Sequence, residues 1–136
     1  MTATVTAPLG AEARYWQALA EGRLELPQCE GCGRWHWPAV WRCGDCGSWD
    51  HAWRETALAG AVFTWTRTWH PFGGTEGFEK PFATVLVALS GAPVRLSGVI
   101  EGPQEALKIG APVLGRVDRT VFGEAAIPAL RWRLRR

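Results

Sequence analysis

Cys29-Glu30-Gly31-Cys32-Gly33 and Cys43-Gly44-Asp45-Cys46-Gly47 decide how this chain is built. They hold the only four cysteines, as two C-x-x-C pairs with ten residues between Cys32 and Cys43. A two-residue gap lets both thiolates of a pair reach one ion, and the glycine after each pair suits the tight turn of a zinc knuckle. Two facing knuckles give four sulfurs in a tetrahedron, a set that Zn²⁺ accepts and a harder cation does not. The span between the pairs is shorter than in the commonest ribbons, but a short hairpin can close it. Two disulfides would need an oxidising compartment, and no signal peptide is visible. A redox C-x-x-C normally occurs once, beside a βαβ pattern, and neither condition holds. A rubredoxin-like iron or iron–sulfur site would use the same ligands and is the remaining alternative. The expectation is one structural Zn²⁺ per chain on Cys29, Cys32, Cys43 and Cys46, with no open position for a reactive water. His36 could replace one thiolate, but four are already available.

The flanks fit a ribbon. Arg23 to Gln28, RLELPQ, alternates and runs into the first knuckle as a strand would. Between the knuckles lies RWHWPAVWR, in which Trp35, Trp37 and Trp41 are expected to cap a very small core stapled by the metal. Upstream, Glu12 to Glu21 places Tyr15, Trp16, Leu19 and Ala20 at helical spacing, and Gly22 follows as a stop. So short a helix must dock on something, either its own domain or a partner. Met1 to Gly10 is unpatterned and is expected to be a disordered arm.

Beyond the ribbon the period changes to two. Ala61 to Trp69 reads AVFTWTRTW, with Phe63, Trp65 and Trp69 on one face. His70 to Pro81 is a Gly/Pro-rich loop. Phe82 to Leu89 is an apolar strand, and Val94 to Ile100 is another, with Gly98 as a bulge candidate. Gly102 to Gly110 reads as a brief helical turn, and Pro112 to Val121 as the fourth strand. Ile127 to Arg135 is the fifth, with Leu130, Trp132 and Leu134 inward and Arg131, Arg133 and Arg135 outward. Five strands point to a small closed barrel of the OB type, with an SH3-like barrel as competitor. The expected division is an arm (1–10), a helix (11–22), a zinc ribbon (23–55) and a mainly β barrel (56–136).

The totals narrow the function. A net charge of +2 gives no electrostatic case for nucleic acid. Nine tryptophans in 136 residues cannot all be central, so some should lie at a ligand or partner surface. No apolar run is long enough to span a membrane, and the chain reads as cytoplasmic. Of the 15 basic residues, 13 are arginine, which suits anion recognition but equally follows from a GC-rich genome. With every cysteine committed to metal, no G-x-S-x-G elbow and no Gly-rich phosphate loop, independent catalysis is not expected. The loop from His70, with Trp69, Phe72, Phe78, Lys80 and Phe82, is the candidate substrate or partner surface, because long loops in compact domains tend to be functional. The alternative is a solvated loop with Phe72 and Phe78 tucked back as lids. The Arg131/Arg133/Arg135 stripe is expected to be the wet face of an edge strand rather than a phosphate contact.

The ordered set YWQALAEGRLEL, C-E-G-C-G, C-G-D-C-G-S, G-A-V-F-T-W-T, K-P-F-A-T-V-L-V-A-L, G-V-I and L-K-I-G-A-P-V resembles the zinc-ribbon OB-fold proteins that accompany thiolases and thiolase-like acyl-CoA enzymes, including steroid side-chain aldolases. It runs from about Ala13 to the C-terminus. One departure is that the usual proline-rich segment between the knuckles is here Trp-rich, with only Pro38. The resemblance implies a non-catalytic accessory subunit in a hetero-oligomer around a thiolase homodimer, with acyl-CoA at the interface and the catalytic cysteine on the partner. Tyr15 and Trp16 on the helix are the second candidate contact. A single-stranded nucleic-acid-binding module is the alternative, since ribbons and OB barrels both occur there. A free-standing CoA carrier or scaffold is the third.

Overall fold

Trp132 marks the centre of the barrel: it is 0% exposed, and two glycines make room for it. In the computed structural model, which describes residues 3, 4 and 10–135, a Cβ added at either Gly98 or Gly115 would lie 2.7 Å from the indole. Five strands surround it: β4 (Ala59–Thr68), β5 (Phe82–Leu89), β6 (Arg95–Ile100), β7 (Pro112–Phe122) and β8 (Ala125–Leu134). They pair in the order β4-β5-β6-β8-β7, and β7 returns to β4 to close the ring. β6 and β8 are parallel at Val99↔Arg131 and Ile100↔Trp132, and the other pairs are antiparallel. The crossover that sets β8 between β6 and β7 is the Greek-key arrangement of an OB barrel and decides against an SH3-like one. β5 alternates as a core strand should, with Val85 and Val87 fully buried.

Three details differ from the sequence expectation. Gly98 is not a bulge, since the β5–β6 register runs unbroken through Val85↔Gly98; it is small because Trp132 lies against it. The bulge is in β4, where the register shifts between Val62 and Thr64. One extra residue reverses the alternation, so Val62 and Trp65 face the core while Phe63 points out under the Arg95 guanidinium, 3.7 Å from its ring centre. Residues 102–110 form turns rather than a helical turn, closed by Leu107 N–H donating to Gln104 O and Ala111 N–H to Lys108 O.

The ribbon pairs β2 (Glu25–Cys29) with β3 (His51–Glu55) through Cys29↔His51 and Glu25↔Glu55. β2 does not alternate: Glu25, Leu26, Pro27 and Cys29 are all buried, because its base is wedged between helix and barrel. The helix α1 (Ala13–Ala20) has no side-chain N-cap and only eight residues, so packing holds it. Its buried face is Tyr15, Ala18 and Leu19; Trp16 is half-buried and Ala20 exposed. Gly22, at φ 84°, ends it by donating to Leu19 O, as a left-handed C-terminal glycine does. Tyr15, Leu19, Leu24 and Leu26 belong to the same apolar cluster as Val85, Leu96 and Trp132, so the ribbon base and barrel share one core. Glu25 is the buried anion of this joint, accepting from Arg14 Nε at 2.9 Å and from Arg23.

The expected disordered arm falls mostly outside the described residues. Ala3–Thr4, which are described, form β1, running parallel to the start of β8.

Candidate metal centre and outer cleft

The two knuckles have matching geometry. Cys29 N–H donates to Arg34 O, and Cys43 N–H to Ser48 O, both at 2.8 Å. Gly33 N–H returns to Cys29 O and Gly47 N–H to Cys43 O, both at 2.9 Å, with both glycines at φ 80°. Side chains rarely adopt that φ, so each C-x-x-C-G carries its glycine for a steric reason. The four Sγ atoms lie within 4.8 Å of one another, with Cys29–Cys46 at 3.5 Å and Cys32–Cys43 at 3.6 Å. None is in a disulfide. Zn–S bonds of about 2.3 Å would set sulfurs about 3.8 Å apart in a tetrahedron, so the set fits zinc without rearrangement. His36 is not among the converging ligands; its ring stands 5.4 Å from that of His51 beside them.

The protonation balance fits the same reading. The backbone N–H of Cys32 leads in holding the Cys29 thiol down to about 7, and that of Cys46 does so for Cys43. Cys32 is pushed up to about 12: the Arg34 N–H opposes this, but burial and the neighbouring sulfurs outweigh it. Four clustered thiolates repel, and a divalent cation is what would let all four ionise together.

The second feature is an open cleft of about 1300 Å³ on the outside of the barrel. The His70–Pro81 loop and the tip of the β7–β8 hairpin flank it, where Phe122 packs over Gly73 and Gly74. These are the loop positions OB folds use for binding. Thr75 pins the loop: its Oγ1 accepts from Phe72 N–H at 2.9 Å and donates to Phe72 O at 2.6 Å. Lys80 Nζ donates to Thr75 O and Phe78 O at 2.6 and 2.7 Å and lies 5.2 Å from the Phe82 ring centre, so it works inside the loop. Phe78 tucks against buried Phe82, with ring centres 5.3 Å apart. Trp69 and Phe72 are 64% and 59% exposed, and His70 is exposed as well. Tyr15 is buried against Trp37, its phenol pushed up to about 12 by desolvation, whereas neighbouring Trp16 is half-buried.

Arg131 departs most from expectation. It points out of the barrel, as its place in the alternation requires, yet is buried, because Phe78 covers it with its ring centre 5.0 Å from the guanidinium carbon. Arg133 and Arg135 are exposed. Trp41 is likewise not a cap: with Val40 and Trp49 it is exposed on the ribbon, while Trp35 and Trp37 pack against the shared core. Val121 and Phe122 add to the exposed apolar surface beside Phe72. Sequence reasoning passed over Trp49, Val121 and Phe122, and only the total of nine tryptophans signalled surplus aromatic surface.

Residues 16–52 match the family model described as the ChsH2 rubredoxin-like zinc ribbon domain, and residues 53–118 the ChsH2 C-terminal OB-fold domain. The chain belongs to the ChsH2 zinc-ribbon and OB-fold family. It contains that family's zinc ribbon, and its four cysteines fit one structural zinc. Among solved structures it is similar to one titled Ltp2-ChsH2(DUF35) aldolase, 28% identical with a TM-score of 0.75, covering 94% of this chain and 97% of the other. A DUF35-family protein of unknown function from Sulfolobus solfataricus shares the fold at 21% identity and a TM-score of 0.60, over 92% of this chain and 85% of its own. A curated relative from Thermomonospora curvata, described as a probable enoyl-CoA hydratase alpha subunit, is 28% identical over 100 residues, or 74% of this chain. This chain spans about a third of that relative's length, the matched part being 31% of it. Among the described residues, no helix is long and apolar enough to cross a membrane.

Proposed function

We propose that this chain is a non-catalytic accessory subunit of a thiolase-like acyl-CoA enzyme, supporting a partner that makes or breaks a carbon–carbon bond on a CoA thioester. The observation that carries the reading is the likeness, across both domains, to the chain in the Ltp2-ChsH2(DUF35) aldolase structure. The chain's own chemistry agrees. Its four thiols converge on one metal site and leave no free cysteine for thioester exchange. Its exposed aromatics include Trp69, Phe72 and Phe122 on the barrel and Trp41 and Trp49 on the ribbon, residue types that are enriched at interfaces. The partner is a thiolase-like homodimer flanked by copies of this chain, and the acyl-CoA runs along the outer cleft. The chain acts in the cytoplasm.

The experiment is affinity capture of the tagged chain from native lysate, followed by assay of the captured pair on CoA thioesters. A thiolase-like protein should be captured, and the chain should raise its turnover or keep it soluble. Capture of a hydratase instead would favour a second reading, which the Thermomonospora relative supports: the same accessory role beside a CoA hydratase. Robust turnover by the isolated chain would overturn both.

A further inference from the structure

Arg131 is a buried cation without an anion. It is 7% exposed, and no carboxylate among the described residues lies within salt-bridge distance. Its guanidinium makes two hydrogen bonds to neutral oxygens: Nη2 to Thr120 Oγ1 at 2.8 Å and Nη1 to Leu130 O at 3.3 Å. A guanidinium has five N–H groups, so three have no protein acceptor among the described residues.

The surroundings deepen the imbalance. Arg116 stands directly opposite across the β7–β8 ladder, on the same face. It takes both nearby acids: Glu101 by two bonds of 2.7 Å, and Asp118 at 3.0 Å. Burial, the leading influence, lowers the Arg131 affinity for its proton from the ordinary value. The more distant Asp118 and Glu101 offset the burial in part, and Nε, which has no protein partner among the described residues, is not fully buried, so it is open to the cleft. The fork is nonetheless held in place, by Phe78 above it and Thr120 beside it, and it lines the outer cleft. Trp69, largely exposed, lines the same cleft and offers a flat apolar wall to the rest of a ligand.

We infer that Arg131 anchors an oxyanion-binding site in the outer cleft, its free N–H groups taking a phosphate or carboxylate group of a small-molecule ligand. Both groups match the planar donor fork, which a lysine would not reproduce. The site rests on the proposed place of the acyl-CoA in this cleft but needs no partner chain and is tested without one, so its failure would remove the ligand from the cleft and leave the accessory-subunit reading to the capture experiment.

The full-length zinc-loaded chain is titrated, at constant ionic strength, with inorganic phosphate, adenosine 3′,5′-bisphosphate and acetate. The arginine Nε–H resonances are followed, the Arg131 signal being the one missing in Arg131→Lys. Saturable movement of that signal is expected; in the variants affinity is read from the backbone amides of Thr120 and Leu130, which flank the fork, and should be lowered about tenfold or more in Arg131→Lys and unchanged in Arg133→Lys. A response to the phosphates but not acetate assigns a phosphoryl ligand, whereas an equal response to acetate assigns a carboxylate. Arg131→Met should melt no lower than the parent and lose its stabilisation by phosphate. No saturable movement with any probe, or an equal response in Arg131→Lys, would overturn the site. So would a fall in melting temperature in both Arg131 variants with the phosphate response retained.

Discussion

The knuckle tip of the ribbon and the barrel are held together by opposite means. From Glu30 to Asp50 the only fully buried side chain is Cys43; the tip has no apolar interior of its own. Its shape comes from paired turns and four sulfurs around one point. The barrel has neither metal ligand nor disulfide and is organised around Trp132 and the valines of β5. Between them the ribbon base belongs to the barrel's core through Leu24 and Leu26. A boundary drawn by motif therefore differs from one drawn by energetics: the metal governs the tip, and burial governs the rest.

The contrast is most sharply tested by removing a ligand. Cys43→Ala should abolish zinc binding, measured by elemental analysis, and with it a term of roughly 10 kcal/mol in comparable small sites. Hydrogen exchange should show residues 30–50 losing protection while β4–β8 and Leu24–Leu26 keep theirs. Uniform loss across the chain would mean that the two regions are one cooperative unit.

Next is the barrel's own keystone. Trp132→Ala should cost about 3–5 kcal/mol in denaturant unfolding. Gly115→Ala, which drives a methyl against the indole, should cost about 1–3 kcal/mol. Neither should change zinc content; if either does, the core and the metal tip are coupled.

The joint between helix and ribbon base gives a smaller effect. Glu25→Gln should cost about 1–2 kcal/mol, since its guanidinium partners remain partly exposed and screened. Burial alone would raise the Glu25 carboxyl, but the hydrogen bonds from Arg23 and Arg14 hold it below the usual carboxylate range. Its stabilisation is therefore present above the ordinary carboxylate value of about 4.3 and is lost as pH falls through the lower folded value. The parent's melting temperature should fall on acidification through that window, and the Glu25→Gln curve should be flatter there.

Least for stability, but not for assembly, is Trp69→Ala. Being largely exposed, Trp69 should leave the melting temperature unchanged. If the cleft rim meets the partner as proposed, association measured by calorimetry should weaken about tenfold or more. If Trp41→Ala alone weakens it, the ribbon patch is the contact.

Much of this architecture was legible in the sequence. The cysteine spacing carried the ribbon, and period-two runs carried the five strands, because both are local patterns. What escaped depended on distant segments. Strict alternation puts Phe63 on one face with Trp65 and Trp69, but a single extra residue at Phe63 turns it outward, and no residue type announces such a bulge. Alternation sets Arg131 outward, and it does point out, yet it is buried because a loop some 50 residues upstream folds Phe78 over it. A glycine inside a strand marks Gly98 as unusual, but its reason lies across the sheet in Trp132. The cleft has the same origin. Its walls come from β4, the long loop, the end of β6, the 102–107 turns, β7 and Arg131 of β8, which only closure of the ring brings together.

The glycine-flanked indole at the barrel's centre has a wider meaning. Many barrels are vessels, with a lumen that evolution can enlarge to hold cargo. Here one side chain stoppers the bore from both sides, so mutation cannot hollow out a compartment without undoing the fold. The domain is a solid spindle, and whatever it handles must ride on the outside, under the loops. New specificities can then be tried by changing the wrapping, while the spindle stays as it is.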